Sequence, residues 1–235
     1  MKLTYRPEID GLRAIAVLSV IFYHAEFSIN GYNLFKGGFF GVDIFFVISG
    51  YLITSLILKE LIKTNKFSFK IFFERRARRI LPPLFLIILV STIVAWFSLL
   101  PESMVNFSES ALSSIFFNSN HYFWITGQKY GEETGLLVPL LHTWSLSIEE
   151  QFYIFFPIIL LFIFRFNKKN IILFIFIMII SSFCAAIFAA GKFPMFNFYI
   201  LPTRGWELLV GSLIATIKLL KIEKQKYNSK IFIKY

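Results

Sequence analysis

Residues 171–190 read IILFIFIMIISSFCAAIFAA and contain no charged side chain. Residues 80–100, ILPPLFLIILVSTIVAWFSLL, are also free of charge. Each stretch reaches the roughly 20 residues that an α-helix needs to cross the hydrocarbon core of a bilayer. Because backbone groups in lipid must find their hydrogen bonds within the segment itself, the two stretches predict transmembrane helices.

The composition of the whole chain also indicates a membrane protein. Of its 235 residues, 57% are hydrophobic and 31 are phenylalanine, and the mean hydropathy is +0.68. Charged residues make up only 16% of the chain, below the usual share of a soluble domain. A soluble domain of this size cannot bury so many large apolar side chains, so much of this surface is expected to face lipid.

Hydropathy and charge together predict six transmembrane spans, at residues 14–29, 39–58, 80–100, 146–166, 170–190 and 199–219. With these spans, nearly all Lys and Arg residues fall on one side of the membrane. The exceptions are Lys36, Lys129, Lys192 and Arg204. Basic loops stay in the cytoplasm, so both termini are expected there. The net charge of +10 therefore indicates orientation, and nucleic acid is not an expected partner.

One apolar segment does not fit a seventh crossing. Residues 104–126 contain Asn, Glu and His side chains, and a full crossing would invert every later loop. We expect this segment to be re-entrant or interfacial. The predicted fold class is all-α: a polytopic transmembrane helix bundle of about six spans plus this segment. The predicted domains are a transmembrane domain at 1–220 and a basic cytoplasmic tail at 221–235.

Ionisable residues in the first two spans are candidates for catalysis, because a charged group inside a bilayer is costly. Arg13 and His24 are eleven residues apart, which places them on one face of a helix, about 16 Å apart along its axis. An imidazole can act as a general base at neutral pH. A structural histidine bonded to a neighbouring helix is the alternative.

The second span contributes a carboxylate and four glycines. If the first two spans pack antiparallel, Asp43 is expected level with His24, where it can orient the imidazole. The glycines at positions 37, 38, 41 and 50 are expected to let helices approach closely.

Four arginines precede the third span, at Arg75, Arg76, Arg78 and Arg79. Arginines three or four residues apart share a helix face, and paired guanidinium groups suit phosphate oxygens. The cluster therefore indicates either a phosphate site or an anchor to lipid phosphates at the cytoplasmic surface.

A polar cluster opens the fourth span, with candidate acceptor-binding residues Trp144, Ser145, Glu149, Gln151 and Tyr153. Trp144 offers a stacking face for a sugar, and Glu149 a carboxylate for its hydroxyls. The alternative is structural: helix caps, a residue at the positive helix end and an aromatic belt. Arg204 and Glu207 at the sixth span are three residues apart and predict a structural ion pair.

Five blocks of the sequence resemble, in order, the signatures of the membrane acyltransferase-3 family. They are YRPEIDGLRAIAVLSVIFYHA (5–25), GGFFGVDIFFVISGYLIT (37–54), FFERRARRILP (72–82), LHTWSLSIEEQFYIFFP (141–157) and LPTRGWELLVGS (201–212). The resemblance implies acyl transfer from cytoplasmic acyl-CoA, such as acetyl-CoA, to a sugar hydroxyl of a cell-envelope glycan or lipopolysaccharide. Acyl-CoA is then a co-substrate, and no bound cofactor or metal is expected.

The same resemblance implies roles for particular residues. His24 matches the family histidine that deprotonates the acceptor or relays the acyl group, with Arg13 as the arginine of that motif. The arginine pair that binds the donor phosphates falls on Arg75/Arg78 or Arg76/Arg79.

The chain departs from the family in length, because members of the family normally have about ten spans. The missing helices are expected to carry further contacts, and an inactive fragment is one alternative. A membrane transporter, with His, Arg and Asp lining a path, is the other.

Overall fold

The computed structural model describes residues 6–26, 28–29, 32–33, 35–128 and 138–232. The chain forms two compact units. Unit 1 takes the described residues within 1–67, 153–185 and 204–235, and unit 2 takes those within 68–152 and 186–203.

Helices dominate the described chain, as the sequence predicts. They are α1 (Pro7–His24), α2 (Gly41–Thr64), α3 (Phe69–Ser98), α4 (Pro101–Ile115), α5 (Ser119–Ile125), α6 (Thr143–Asn167), α7 (Ile171–Ala190), α8 (Pro194–Tyr199) and α9 (Leu201–Phe232). Short 3-10 helices lie at Gly38–Phe40 and Lys168–Asn170. The all-α prediction missed one small antiparallel hairpin, formed by β1 (Ser28–Ile29) and β2 (Tyr32–Asn33).

Within the described residues, three helical stretches are long and apolar enough to cross a membrane: Gly38–Thr64, Phe69–Ser98 and Thr143–Ala190. The third contains both α6 and α7. These stretches confirm that the chain is a membrane protein, while the predicted count of six spans is not confirmed. The surface of α3 is suited to contact with lipid, since only 11% of the most apolar 18-residue stretch of this helix is buried within the protein.

Several helix boundaries differ from the predicted spans. The predicted first span, 14–29, corresponds to helix α1, which begins earlier, at Pro7, and ends at His24. Helix α3 begins at Phe69, well before the predicted start of its span at residue 80. Ser68 caps it by accepting a hydrogen bond from the Ile71 N–H at 3.4 Å. The arginine cluster therefore lies inside a continuous helix.

The segment at 104–126 is a broken helix. Helix α4 ends at Ile115 and α5 starts at Ser119, with Phe117 between them in the left-handed region at φ 53°. The Gln151 amide donates to the Phe117 carbonyl at 3.0 Å and to the Asn120 side chain at 2.8 Å. Non-helical backbone at membrane depth needs such partners, so this break is compatible with the predicted re-entrant or interfacial segment.

Glycines fix the register of α1 against α2. A Cβ atom at Gly38 would overlap the Ser19 carbonyl oxygen, and one at Gly41 would overlap the Ala16 carbonyl oxygen. Residue numbers rise from Gly38 to Gly41 as those of their partners fall from Ser19 to Ala16, so the two helices are antiparallel. The predicted packing role is confirmed for these two glycines.

A second pair of glycines joins α2 to α9. A Cβ atom at Gly50 would overlap the Leu208 carbonyl oxygen, and one at Gly211 would overlap the Val47 carbonyl oxygen. The two helices run parallel, since Asp43 pairs with Arg204 near both helix starts, and Lys59 and Lys218 line one cavity further along both helices. The backbones approach closely because neither glycine has a side chain. Gly50 therefore has the predicted packing role. Gly37 does not, since its nearest neighbour is a Phe40 side-chain atom at 3.9 Å.

Helix α9 is continuous through Phe232 and shows no boundary at residue 220, where the sequence analysis predicted a tail. Its far end is tied to the start of α7. Lys168 donates to the Glu223 carboxylate at 2.7 Å, and the Trp206 N–H donates to the Ser182 hydroxyl at 2.9 Å. These contacts make α7 antiparallel to α9 within unit 1.

We predict that Gly50→Ala destabilises the protein by about 1–3 kcal/mol, because the added methyl group collides with the backbone of α9. The measurement is thermal unfolding of the purified protein in detergent. Gly11→Ala is the matched control, since nothing lies within 4 Å of a Cβ atom there. The control should melt at or slightly above the native temperature, because alanine favours the helix by about 0.5–1 kcal/mol. Native-like melting of Gly50→Ala would contradict the close contact.

Candidate active site

His24 is the last residue of α1, and its side chain is exposed. Its ring meets the Tyr23 ring edge-on, with centroids 5.1 Å apart. The predicted spacing to Arg13 is preserved, because both residues belong to one unbroken helix. The histidine therefore lies at a helix end rather than within a helix, and the arginine lies about three turns earlier.

Arg13 is paired with a carboxylate on its own helix. Its guanidinium lies 3.3 Å from the Asp10 carboxylate, an i,i+3 pair. Both residues line a cavity of about 390 Å³ at the end of unit 1 where α1 begins. Arg13 thus lies in the second turn of α1, about three turns from His24.

Asp43 is not level with His24, and this part of the sequence-based interpretation needs correction. The glycine contacts place Gly41 beside Ala16, so Asp43 lies well below His24 along α1. The Asp43 carboxylate instead accepts a hydrogen bond from the Arg204 guanidinium at 2.5 Å. The register of the helices and this ion pair give Asp43 a different partner from the predicted one.

Arg204 is the centre of a partly buried charge cluster that we call the Arg204 triad: Asp43, Arg204 and Glu207. Arg204 also lies 3.2 Å from the Glu207 carboxylate, which confirms the predicted i,i+3 ion pair. Its guanidinium carbon is 5.6 Å from the centroid of the Phe46 ring, within the range of a cation–π contact. The Glu207 side chain is only 2% exposed. The triad joins the first turns of α2 and α9.

The four arginines of α3 have different surroundings. Arg76 points towards the Glu150 carboxylate at 3.8 Å, and their side chains are 17% and 9% exposed. Arg78 is 78% exposed and pairs with Glu74 at 2.7 Å. Arg75 and Arg79 are exposed. In addition, Pro82 and Pro83 inside α3 have no N–H to donate to the carbonyls of this arginine cluster.

The residues predicted at an acceptor mouth are mostly built into the protein interior. Trp144 is 1% exposed, and its ring contacts those of Phe198 and Tyr199. It therefore offers no open stacking face, which corrects the expectation of a sugar platform at this residue. Tyr153 is also 1% exposed.

The other three members of that set differ from one another. Gln151 is committed to the break between α4 and α5, as described above. Ser145 donates to the His142 carbonyl at 3.2 Å, a local bond to the residue three positions earlier. Glu149 is half-buried.

A layer of hydroxyl groups around the start of α6 was missed by sequence reasoning. Ser119 lies 2.7 Å from the Ser147 hydroxyl, and Thr143 donates to the Ser119 hydroxyl at 2.9 Å. Thr143 also lies 2.8 Å from the Ser114 hydroxyl. Small polar residues in apolar segments were the only signal. Buried polar groups must be paired in this way, so the layer is structural.

The described residues contain no group of three or more His, Cys, Asp or Glu side chains that could hold a metal ion.

The fold and composition define a polytopic, largely helical membrane protein with an exposed histidine at a helix end. A family model described as an acyltransferase domain matches residues 6–233, and the chain belongs to this acyltransferase-3 family. It is 39% identical over 217 residues to the peptidoglycan O-acetyltransferase OatA of Listeria monocytogenes, covering 91% of this chain and 34% of that protein.

A second relative gives the same result. The chain is 41% identical over 218 residues to the O-acetyltransferase OatA of Staphylococcus aureus, covering 91% of this chain and 35% of that protein. The chain therefore spans about a third of the length of these relatives. No solved structure matches it.

We predict that Arg204→Gln lowers the free energy of unfolding by about 3–5 kcal/mol, since it leaves two carboxylates without their cation. Adding Asp43→Asn should recover part of the loss. A double-mutant cycle of thermal or denaturant unfolding should therefore show a coupling energy of about 0.5–3 kcal/mol. Strictly additive effects of the two substitutions would contradict the ion pair.

Proposed function

We propose that the chain is the membrane part of an O-acyltransferase that moves an acetyl group from cytoplasmic acetyl-CoA to a sugar hydroxyl of peptidoglycan. The family match over residues 6–233 carries the proposal. The names of the two relatives favour acetyl as the group, and the Listeria relative favours peptidoglycan as the acceptor. Membership in an acyltransferase family favours this function over a transporter.

His24 is the proposed base of the reaction. It removes the proton from the acceptor hydroxyl, and the resulting oxygen attacks the carbonyl carbon of the thioester. The new C–O bond forms, the C–S bond breaks, and the proton passes to the thiolate of coenzyme A. The exposed position of His24 at the end of α1 supports access by an acceptor.

In this proposal, Arg13 does not stabilise the negative charge that develops on the thioester carbonyl oxygen when the acceptor attacks. It lies about three turns from His24 along α1, and Asp10 already compensates its charge. Its surroundings in the cavity at the other end of α1 support a role on the donor side. In the same way, Asp43 is proposed to support the helices through Arg204 and not to orient His24.

The exposed arginines of α3 are the proposed donor contacts. Burial of Arg76 against Glu150 supports the Arg75/Arg78 pair, because an arginine held by a buried carboxylate is less able to turn towards a ligand. The ion pair between Arg78 and Glu74 leaves Arg78 able to bind a ligand, since exposed ion pairs are weak. The proposed orientation puts these arginines and both termini in the cytoplasm of a bacterial cell.

The experiment uses a chimera, because the chain matches only a third of its relatives. In the chimera, this chain replaces the matching third of the Staphylococcus aureus relative. The chimera is expressed in a strain from which the gene for that relative has been deleted. Ester-linked acetate on purified peptidoglycan is then measured by mass spectrometry.

The expected result is acetylated glycan from the chimera and a loss of at least about 100-fold with His24→Ala, as expected for removal of a general base. His121→Ala is the matched control and should keep its ester content, because His121, on α5, has no part in the proposed reaction. Immunoblotting checks that all variants are equally abundant. Esters that survive His24→Ala would contradict the catalytic role, and a chimera without esters would contradict the proposed activity.

A further inference from the structure

The cavity at the start of α1 brings together cations from three separate parts of the sequence. Its charged residues are Arg6, Asp10, Arg13, Lys59 and Lys218, from α1, α2 and α9 of unit 1. Four of these five side chains are basic. The volume of about 390 Å³ lies within the roughly 300–1,000 Å³ typical of small-molecule sites.

Only part of this positive charge is compensated within the protein. Arg13 pairs with Asp10, and Arg6 pairs with Glu8, each at 3.3 Å. Within the described chain, no carboxylate forms an ion pair with Lys59 or Lys218. A concave surface with this excess of one charge concentrates its field and attracts anions.

The wall of the cavity also holds one cation in place. The Arg6 guanidinium donates to the Tyr51 hydroxyl at 2.5 Å and lies 5.9 Å from the centre of that ring. An arginine fixed in this way presents its remaining N–H groups in a defined geometry, which suits a phosphate oxygen pair. Lysines add point charges that reach phosphate from flexible stems.

Apolar side chains complete the lining, namely Ile9, Leu52, Leu219 and Ile222. A ligand for this cavity should thus combine phosphate groups with an apolar or weakly polar part. A simple inorganic anion would leave the apolar wall without a contact.

We propose that this cavity binds an amphipathic phosphate ester, with Arg6, Lys59 and Lys218 contacting the phosphate groups. Two sources share this chemistry: the nucleotide end of coenzyme A and the headgroup of an anionic phospholipid. Coenzyme A carries a 3′-phosphate separate from its pyrophosphate, so a cavity with several cations can contact phosphate groups of both kinds. The site itself stands on the cavity, and only its link to coenzyme A rests on the proposed function.

The position of the cavity fits a donor that extends along α1. Arg13 lines the cavity, and His24 lies about 16 Å further along the same helix. A molecule with phosphate at one end and a thioester on a long flexible arm can therefore place its reacting end towards the histidine.

The test measures binding without catalysis. The 235-residue chain is placed in nanodiscs of phosphatidylcholine, and coenzyme A is titrated calorimetrically at constant ionic strength. The variant K59Q/K218Q is compared with K63Q/K221Q. The latter has the same change in net charge, also on α2 and α9, at exposed lysines that do not line the cavity.

The Kd for coenzyme A should rise at least about tenfold in K59Q/K218Q, since each charge-assisted contact contributes substantially to affinity. It should stay native in K63Q/K221Q, and K59R/K218R should restore most of the affinity. Thermal unfolding confirms that each variant is folded. A second arm measures retention of phosphatidylglycerol by native mass spectrometry.

A selective loss of phosphatidylglycerol in K59Q/K218Q, with coenzyme A binding unchanged, would support the site with a lipid as its ligand. Native binding of both ligands by K59Q/K218Q would overturn the proposal, as would equal losses in the two double variants or no binding to the native chain. His24→Ala should bind coenzyme A with the native Kd, so a failure of acetyl transfer is distinguishable from a failure of this site.

Discussion

The close approach of α2 to the backbones of α1 and α9 is the constraint on which unit 1 depends. At Gly41 and Gly50 a methyl group would overlap a carbonyl oxygen of the neighbouring helix. Apolar burial gives helices little reason to associate in lipid, so packing at small residues sets which helices meet and in what register. Here it makes α1 antiparallel and α9 parallel to α2. This register sets the position of each ionisable residue of α1, α2 and α9 relative to those on the neighbouring helices.

The register separates two chemical environments. One end of unit 1 has the basic cavity, where the first turns of α1 meet the second half of α2 and the middle of α9. His24 lies at the other end of α1, and the Arg204 triad lies between the cavity and His24, at the first turns of α2 and α9. In the proposed reaction, a donor would be held by its phosphate groups at the first end, and an acceptor would reach His24 at the second. The triad supports this arrangement by tying the starts of α2 and α9 together.

Sequence reasoning succeeded where one helix was sufficient and failed where two helices had to be aligned. Apolar run length predicted the long helices, and i,i+3 spacing predicted the Arg204–Glu207 pair. The partner of Asp43 was wrong because residue spacing carries no information about the register between helices. Burial of Trp144 was missed for a similar reason. The sequence places Trp144 at a helix start, but it does not show that the Phe198 and Tyr199 rings pack against it. The catalytic role of His24 stays a prediction.

Cysteine accessibility on the two sides of α2 tests the central claim that the two ends of unit 1 face opposite compartments. Cys184 is the only cysteine, so Cys184→Ser gives a clean background for Lys36→Cys before α2 and Lys63→Cys in its last turn. Both lysines are exposed. With a membrane-impermeant maleimide, Lys36→Cys should be labelled in intact protoplasts, and Lys63→Cys only after lysis. Labelling of Lys63→Cys in intact protoplasts, or of both from the same side, would contradict the account.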